Sequence, residues 1–316
     1  MSEPIPTASD ARALRFARAV MALASLGTAL VVVVMFVPVW PLVLVEHFRV
    51  QVTIGGAFVT AAAFALRARS ADLAAFATLV TLLAIGPDLA ATRTELPAGT
   101  HVRVLVSNVL TENHAYAKLA AAIVDESPDV VALVEPDRAW LDALAPSLEG
   151  YARIEAPRDD HLGIALYVRG ELHGEVRELA NGTPNIFAEV TVNGAVFRVV
   201  VVHPVPPLSA ALQAKLERYF AELGPLVRGD PRVVVAGDFN ATPWSRTFRA
   251  MMNTSGLCDT RAGFGVQATR PADRWLLRIP IDHVLTSCSI GVRDRRVGPD
   301  VGSDHLPVVV DLVIPR

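Results

Sequence analysis

The chain has 316 residues, 52% of them apolar, a formal charge of −3 and two cysteines. That length allows one large domain or two modest ones, and an apolar share this high is unusual for a wholly soluble protein. The charge argues against a non-specific grip on duplex DNA, which rests on basic contacts to phosphate, and no CxxC or Cys/His spacing points to a zinc site.

The apolar excess lies in an N-terminal region, residues 1–92. Its first 18 residues are polar and bear Arg12, Arg15 and Arg18. Three apolar stretches follow, at about 19–45, 51–66 and 72–91. About 20 apolar residues cross the hydrocarbon core of a bilayer. Pro38, Trp40 and Pro41 fall near the end of the first stretch, where a helix end and an interfacial ring are tolerated. The second stretch is short, with Gly55 and Gly56 available for close helix packing. A cleaved signal peptide fits poorly, because the first apolar run is too long and others follow it. A buried helical hairpin is the alternative for the second and third stretches. Basic loops stay in the cytoplasm, which places Arg12, Arg15, Arg18, Arg67 and Arg69 inside if there are three spans. The remaining chain is then extracytoplasmic, on a multi-pass protein of the cell membrane. Without the second span, the later domain would lie inside.

Residues 93–100, with Pro97 and Gly99, read as a linker. From residue 100 onward there are 22 basic and 26 acidic residues. The domain at 101–316 alternates apolar runs with polar ends. His101–Val106 is a strand running into Asn108. A helix over about 115–126 is stopped by Ser127-Pro128-Asp129. Val130–Val134 is the next strand and ends at Glu135, and 163–168 is another. Residues 186–190 and 196–202 form a hairpin around Asn193-Gly194, and the second arm ends at His203. A helix over about 209–226 precedes Val233–Ala236, a strand buried on both faces. Strands at 281–285 and 306–313 carry Asp282 at the start of one and Asp304-His305 just ahead of the other.

The stretch from Val233 to Asn240 is the centre of this pattern. Gly237 frees the backbone at the strand's end, and Asp238 and Asn240, two apart, share a face in extended chain. A carboxylate there can hold a metal or polarise water, and a carboxamide can donate to a phosphoryl oxygen. Each polar strand end has a mundane reading: a turn Asn at 108, a surface ion pair at Glu135, a satisfied loop histidine at 203, a turn cap at 282. Their conjunction points to a metal pocket of carboxylates, amides and imidazoles at one end of the strands.

The series SNVL, VVALVEP, VVVHP, VAGDFNATP, IDHVL and GSDHLPVVV, in order over about 100–316, resembles the endonuclease/exonuclease/phosphatase superfamily. Arg278–Leu285 together with the apolar N-terminal region is similar to a narrower branch, which includes the VanJ-type teicoplanin-resistance proteins. The resemblance implies a four-layer α/β/β/α sandwich of two mixed sheets, and hydrolysis of a phosphate ester or anhydride with Mg²⁺, or Mn²⁺ in its place. It implies Glu135 as the main metal ligand, with Asn108 and Asp304 beside the metal. It implies Asp238 as the group that orients or deprotonates water, Asn240 and His203 at the phosphoryl group, and His305 as an essential histidine held by Asp282.

His161 departs from the polar or aromatic residue expected at its place, and His283 is expected to pack or bond locally. Trp244 and the triplet Trp275-Leu276-Leu277 are expected in the core, with a pocket wall and a membrane or lipid contact as the respective alternatives. Cys258 and Cys288 are expected as two separate thiols, with a disulfide as the alternative outside the cytoplasm. The expected partners are the bilayer and a phosphorylated lipid or small phosphoester, specifically a polyprenyl pyrophosphate; nucleic acid is not favoured. A tethered nuclease, a phospholipid head-group phosphodiesterase and a catalytically idle binding module are the alternatives.

Overall fold

The computed structural model describes residues 7–90, 92–93, 95–179 and 182–316. Residues 1–6 of the N-terminal region, Ala91 at the end of the expected third span and Thr94 in the linker lie outside them. The chain divides into two compact units, Met1–Pro87 and Asp88–Arg316.

In the first unit, α1 (Ala8–Val34) starts at Thr7, whose hydroxyl accepts from the Asp10 amide while the Asp10 carboxylate accepts from the Thr7 amide. This reciprocal cap fixes the start of the helix, ahead of residue 19. The helix stops before Pro38, because the residue preceding a proline is pushed out of helical geometry. Leu42–Phe48 winds as a 3₁₀ turn into α2 (Arg49–Ala65). Glu46 and Arg49, between the first two apolar stretches, are buried and lie 3.8 Å apart, so they do not interrupt the helical run. The second apolar helix therefore runs 24 residues, Leu42–Ala65. With α3 (Ala71–Ala90), three helices among the described residues are long and apolar enough to cross a membrane. A Cβ on Gly56 would lie 2.6 Å from the Thr78 hydroxyl, so glycine permits this close helix approach.

The second unit is built from β1 (Gly99–Asn108), α4 (Tyr116–Glu126), β2 (Val130–Val134), α5 (Arg138–Leu144), β3 (Ala152–Ala156), β4 (Ile164–Val168), β5 (Glu171–Glu178), β6 (Pro184–Val192), β7 (Ala195–Val202), α6 (Ala210–Val227), β8 (Val233–Asp238), α7 (Arg246–Ser255), β9 (Cys258–Asp259), β10 (Asp282–Thr286), β11 (Gly291–Val297) and β12 (Val308–Pro315). Among the described residues these form two six-stranded sheets, ordered β11-β12-β1-β2-β4-β3 and β5-β6-β7-β8-β10-β9. Each sheet holds one parallel pair, β1 with β2 and β7 with β8. Parallel neighbours need a crossover, which α4 and α6 supply. Strands β6 and β7 turn at Asn193-Gly194, both with positive φ, as the expected hairpin requires.

Alternation sets the layers. Val104, Val106, Val130 and Ala132 of one sheet share a core with Val199, Val201, Val234 and Ala236 of the other. The opposite side chains, Leu105, Val131 and Leu133, pack on Leu119, Ile123 and Trp140 of α4 and α5. Val200, Val233 and Val235 pack on Leu216, Phe220 and Leu223 of α6. The outcome is the expected four-layer sandwich with two mixed sheets.

Gly237, in β8, has φ +151, and a Cβ there would sit 1.9 Å from the Val202 carbonyl oxygen. The parallel β7/β8 pair leaves no room to relieve that contact. Gly237→Ala should therefore cost about 3 kcal/mol or more, read as a lowered denaturation midpoint.

Cys258 and Cys288 form a disulfide, which corrects the expectation of two separate thiols. The two-residue strand β9 pairs Cys258 with Thr286, and Cys288 lies two residues further on, bringing the Cα atoms to 5.1 Å. Cys258→Ser should lower stability by about 2–4 kcal/mol, measured by denaturation without reductant.

Candidate active site

Parallel strands leave their carboxyl ends at one edge, where side chains can converge on a crevice. Asn108 is the last residue of β1, Glu135 follows β2, His203 follows β7, and Asp238 ends β8. Asp282 opens β10 directly opposite Asp238 in the antiparallel register. Asp304 and His305 lie on the segment entering β12.

These ends meet. The Asn108 amide donates to Glu135 Oε1 at 2.8 Å and to Asp238 Oδ2 at 3.2 Å, while its own oxygen accepts from the Leu110 amide. His203 Nε2 lies 3.4 Å from Glu135 Oε1. His305 Nδ1 is 2.9 Å from Asp282 Oδ2, and its Nε2 is 3.7 Å from Asp238 Oδ2. Asn108, Glu135, His203, Asp238, Asp282 and His305 thus form one cluster, nearly all of it buried.

The backbone around it is strained. Glu135 has φ +63 and Asn240 φ +49. Asparagine tolerates this region, but glutamate there costs about 1–3 kcal/mol. The Glu135 turn is clamped by its amide donating to the Gly163 carbonyl and its carbonyl accepting from the Thr111 hydroxyl. Gly163 must be glycine, because a Cβ would lie 2.0 Å from the Pro136 carbonyl oxygen.

Charge balances within the cluster. Burial works to raise the Glu135 pKa, but the hydrogen bond and charge of His203, with the Asn108 amide, hold it down at about 2. Burial likewise acts against the His305 cation, yet the charges of Asp282 and Asp238 push its pKa up to about 9. Asp282 stays below the usual carboxylate range despite burial, through His305. Asp238, buried and next to Asp282, is pushed up. His203 is raised despite burial, by Glu135 and Asp238.

Among the described residues, two sets of ligand atoms fall within 4.8 Å of one another: Glu135, His203 and Asp238, and Asp238, Asp282 and His305. Hard carboxylate oxygens in so small a set suit a divalent cation that keeps part of its water shell. The His203 Nδ1 atom is buried without a hydrogen-bond partner among the described residues, as suits a group that faces a ligand site.

Two expected site residues stand apart. Asn240 supplies its backbone amide to Asp238 Oδ1 at 2.8 Å, but its side-chain amide donates to the Pro204 carbonyl at 2.9 Å. Asp304 is outside both ligand sets; it pairs with Arg270 Nε at 3.1 Å and lies 3.9 Å from His305 Nε2. His161, at the place where a polar or aromatic residue is expected, and Glu112, which carries no sequence signal, extend the cluster outward. His161 sits 3.2 Å from Glu135 Oε2 and 3.1 Å from Glu112 Oε1. Arg270 was also unforeseen. His283 bonds the Ala241 carbonyl between the Phe239 and Phe248 rings, and Trp244 is buried, both as expected.

Trp275, Leu276 and Leu277 are not in the core. They are 74%, 64% and 47% exposed, which corrects the expected core packing. They form a single 3₁₀ turn at the tip of a loop closed by the Arg270–Ile279 bridge. So short a turn, held away from either sheet, has no face to bury.

The Endonuclease/Exonuclease/phosphatase family model matches residues 105–305. No curated protein sequence matches the chain. Among solved structures, the mannosyl-6-phosphatase of Bacteroides thetaiotaomicron is 19% identical, with a TM-score of 0.55 over 67% of this chain and 100% of that one. The 3′ phosphatase NExo from Neisseria, bound to a product DNA hairpin, is 22% identical, with a TM-score of 0.54 over 66% and 98%. TDP2 of D. rerio with single-strand DNA product is 15% identical, with a TM-score of 0.54 over 67% and 99%. At these identities the likeness is one of fold. Because the family model covers well over half of its length, including every strand end of the cluster, the chain belongs to the Endonuclease/Exonuclease/phosphatase family.

Proposed function

We propose that the chain is a membrane-anchored hydrolase of phosphate esters or anhydrides, dependent on Mg²⁺ or on Mn²⁺ in its place, with its site outside the cytoplasm. Its substrate is a lipid-linked phosphate, specifically a polyprenyl pyrophosphate, as the resemblance to the VanJ-type branch implies. The observation that carries this reading is the meeting of Glu135, His203 and Asp238, at the ends of two parallel strand pairs, with His305 from the segment entering β12, in a chain whose described residues include three helices able to cross a bilayer.

Glu135 and Asp238 would hold the cation, and Asn108 keeps their oxygens together by donating to both. A cation held there would supply Lewis acidity to a phosphoryl oxygen and lower the pKa of bound water. Asp238 orients the attacking water and accepts its proton. His305, kept cationic by Asp282, donates to a phosphoryl oxygen as negative charge develops there. His203 is placed to contact the same group, and Asn240 orients Asp238 through its backbone amide.

Sidedness is supported twice. Arg12, Arg15, Arg18, Arg67 and Arg69 flank the spans on what the positive-inside rule makes the cytoplasmic side. The Cys258–Cys288 disulfide suits an oxidising compartment. A reporter fused after Arg316 tests it: activity of an extracytoplasmic reporter is expected, and activity of a cytoplasmic one would overturn the orientation.

A tethered nuclease is the second reading, favoured by DNA in two of the fold neighbours. The excess of acidic over basic residues after position 100 weighs against it. The test offers polyprenyl pyrophosphate, phospholipid and plasmid DNA in parallel to the full chain in detergent, with Mg²⁺, with EDTA, and as Asp238→Ala. Phosphate release from the polyprenyl lipid, lost in EDTA and in the variant, is expected. DNA nicking alone would replace this reading with the second.

A further inference from the structure

The loop from Thr269 to Ile279 belongs both to the site and to the surface. Its base is stitched to the strand segment carrying His305: the Ala272 amide donates to the Asp304 carbonyl at 2.8 Å and the Leu306 amide to the Thr269 carbonyl at 3.0 Å. The Thr269 and Arg270 amides both donate to the Ile279 carbonyl, closing the neck. Arg278 braces the interior by donating to the Pro271 and Ala272 carbonyls. The tip is then a rigid projection rather than a frayed end.

What it projects is apolar. Among the described residues of Asp88–Arg316, the other exposed large hydrophobic side chains, Leu89, Leu96, Val124, Val176, Val196 and Leu208, are single residues separated in sequence. Only Trp275-Leu276-Leu277 places three in succession in water. Scattered single exposures need no explanation, whereas a contiguous apolar tip marks a contact surface. Arg274, beside the tip, and Arg270, at the neck, keep part of their surface in water although they pair with Asp273 and Asp304; Asp273 is the loop's lone carboxylate, in a domain that is acidic as a whole. Tryptophan and leucine with arginine beside them suit the boundary between headgroups and acyl chains, and the arginines suit an anionic leaflet.

We propose that this loop is a membrane-docking element: Trp275, Leu276 and Leu277 enter the apolar edge of the bilayer, while Arg270 and Arg274 lie among anionic headgroups. Because its base is bonded to the Asp304–Leu306 segment, the docked loop sets the mouth of the cluster at the lipid surface. This rests on the proposed anchoring of the chain in a bilayer, but not on the identity of the substrate.

The test uses the full chain in nanodiscs of phosphatidylcholine and phosphatidylglycerol. Leu276→Cys is labelled with an environment-sensitive fluorophore, Cys258 and Cys288 being joined to each other. Blue-shifted emission, quenched by lipids carrying a nitroxide near the headgroup, is expected. Emission as in water, unaffected by those lipids, would overturn the proposal. A second variant, Trp275→Ser/Leu276→Ser/Leu277→Ser, is assayed on a bilayer-embedded polyprenyl pyrophosphate and on soluble p-nitrophenyl phosphate. KM for the embedded lipid should rise at least about tenfold, equivalent to about 1.4 kcal/mol, with kcat and the soluble reaction unchanged. Equal loss on both substrates would also overturn it, since that marks a structural role. Quenching without lipid hydrolysis keeps the loop and removes the substrate; hydrolysis without quenching does the reverse.

Discussion

Glu135→Gln should lower metal-dependent turnover about 10³-fold, since a metal's stabilisation of phosphoryl charge is several kcal/mol and each 1.4 kcal/mol is a factor of ten. The substitution preserves shape and leaves the Asn108 contact possible, while removing one of the two hard anionic ligands. It also removes the carboxylate that, with Asp238, favours the charged form of His203. The fold should survive, because Glu135 lies outside the three core clusters of the second unit. A melting curve close to wild type, together with weakened Mn²⁺ binding by titration, separates loss of the cation from loss of the fold. Unchanged turnover would remove Glu135 from the metal site.

His305→Asn should cost about 10³-fold in kcat and Asp282→Asn about 10²-fold, with KM little changed, because both act on charge that develops only in the transition state. Asp282 does not reach the phosphoryl group; it holds the His305 ring at 2.9 Å and keeps it charged. The double variant should therefore be no worse than His305→Asn alone, as for groups acting as a unit. The ring itself reports the coupling. In EDTA its proton resonance should titrate near pH 9 in the wild type, and at lower pH in Asp282→Asn, where the largest charge favouring the cation is gone. Independent, additive losses would show that Asp282 does something other than position His305.

The sandwich was legible because its central strands are buried on both faces and read as continuous Val-rich runs. The strands with no legible pattern, β3, β5, β9 and β11, are the four edge strands of the two sheets. Glu171–Glu178 is almost wholly exposed and alternates nothing that a hydrophobic period can detect. The polar strand ends were legible for the converse reason: a carboxylate after a buried run has no packing role. Glu112 and Arg270 were not, because each lies in a loop and meets the cluster only through chain reversals that no local pattern encodes. The disulfide stood only as the alternative on the same ground, since it joins cysteines 30 positions apart that a two-residue strand brings together. The exposed Trp275 tip ran against an ordinary expectation, that an apolar triplet packs inwards; what holds it out is the neck at Arg270 and Ile279, a long-range contact. Family resemblance carried the choice of Glu135 as ligand, which burial and periodicity alone left open.

The most direct test of the site is anomalous diffraction at the manganese edge from crystals grown with Mn²⁺. A peak in contact with the Glu135 carboxylate, inside the cluster bounded by Asp238, His203 and His305, is the predicted result. A saturated crystal with no peak there, or with manganese bound only elsewhere, would contradict a metal centre at the ends of these strands.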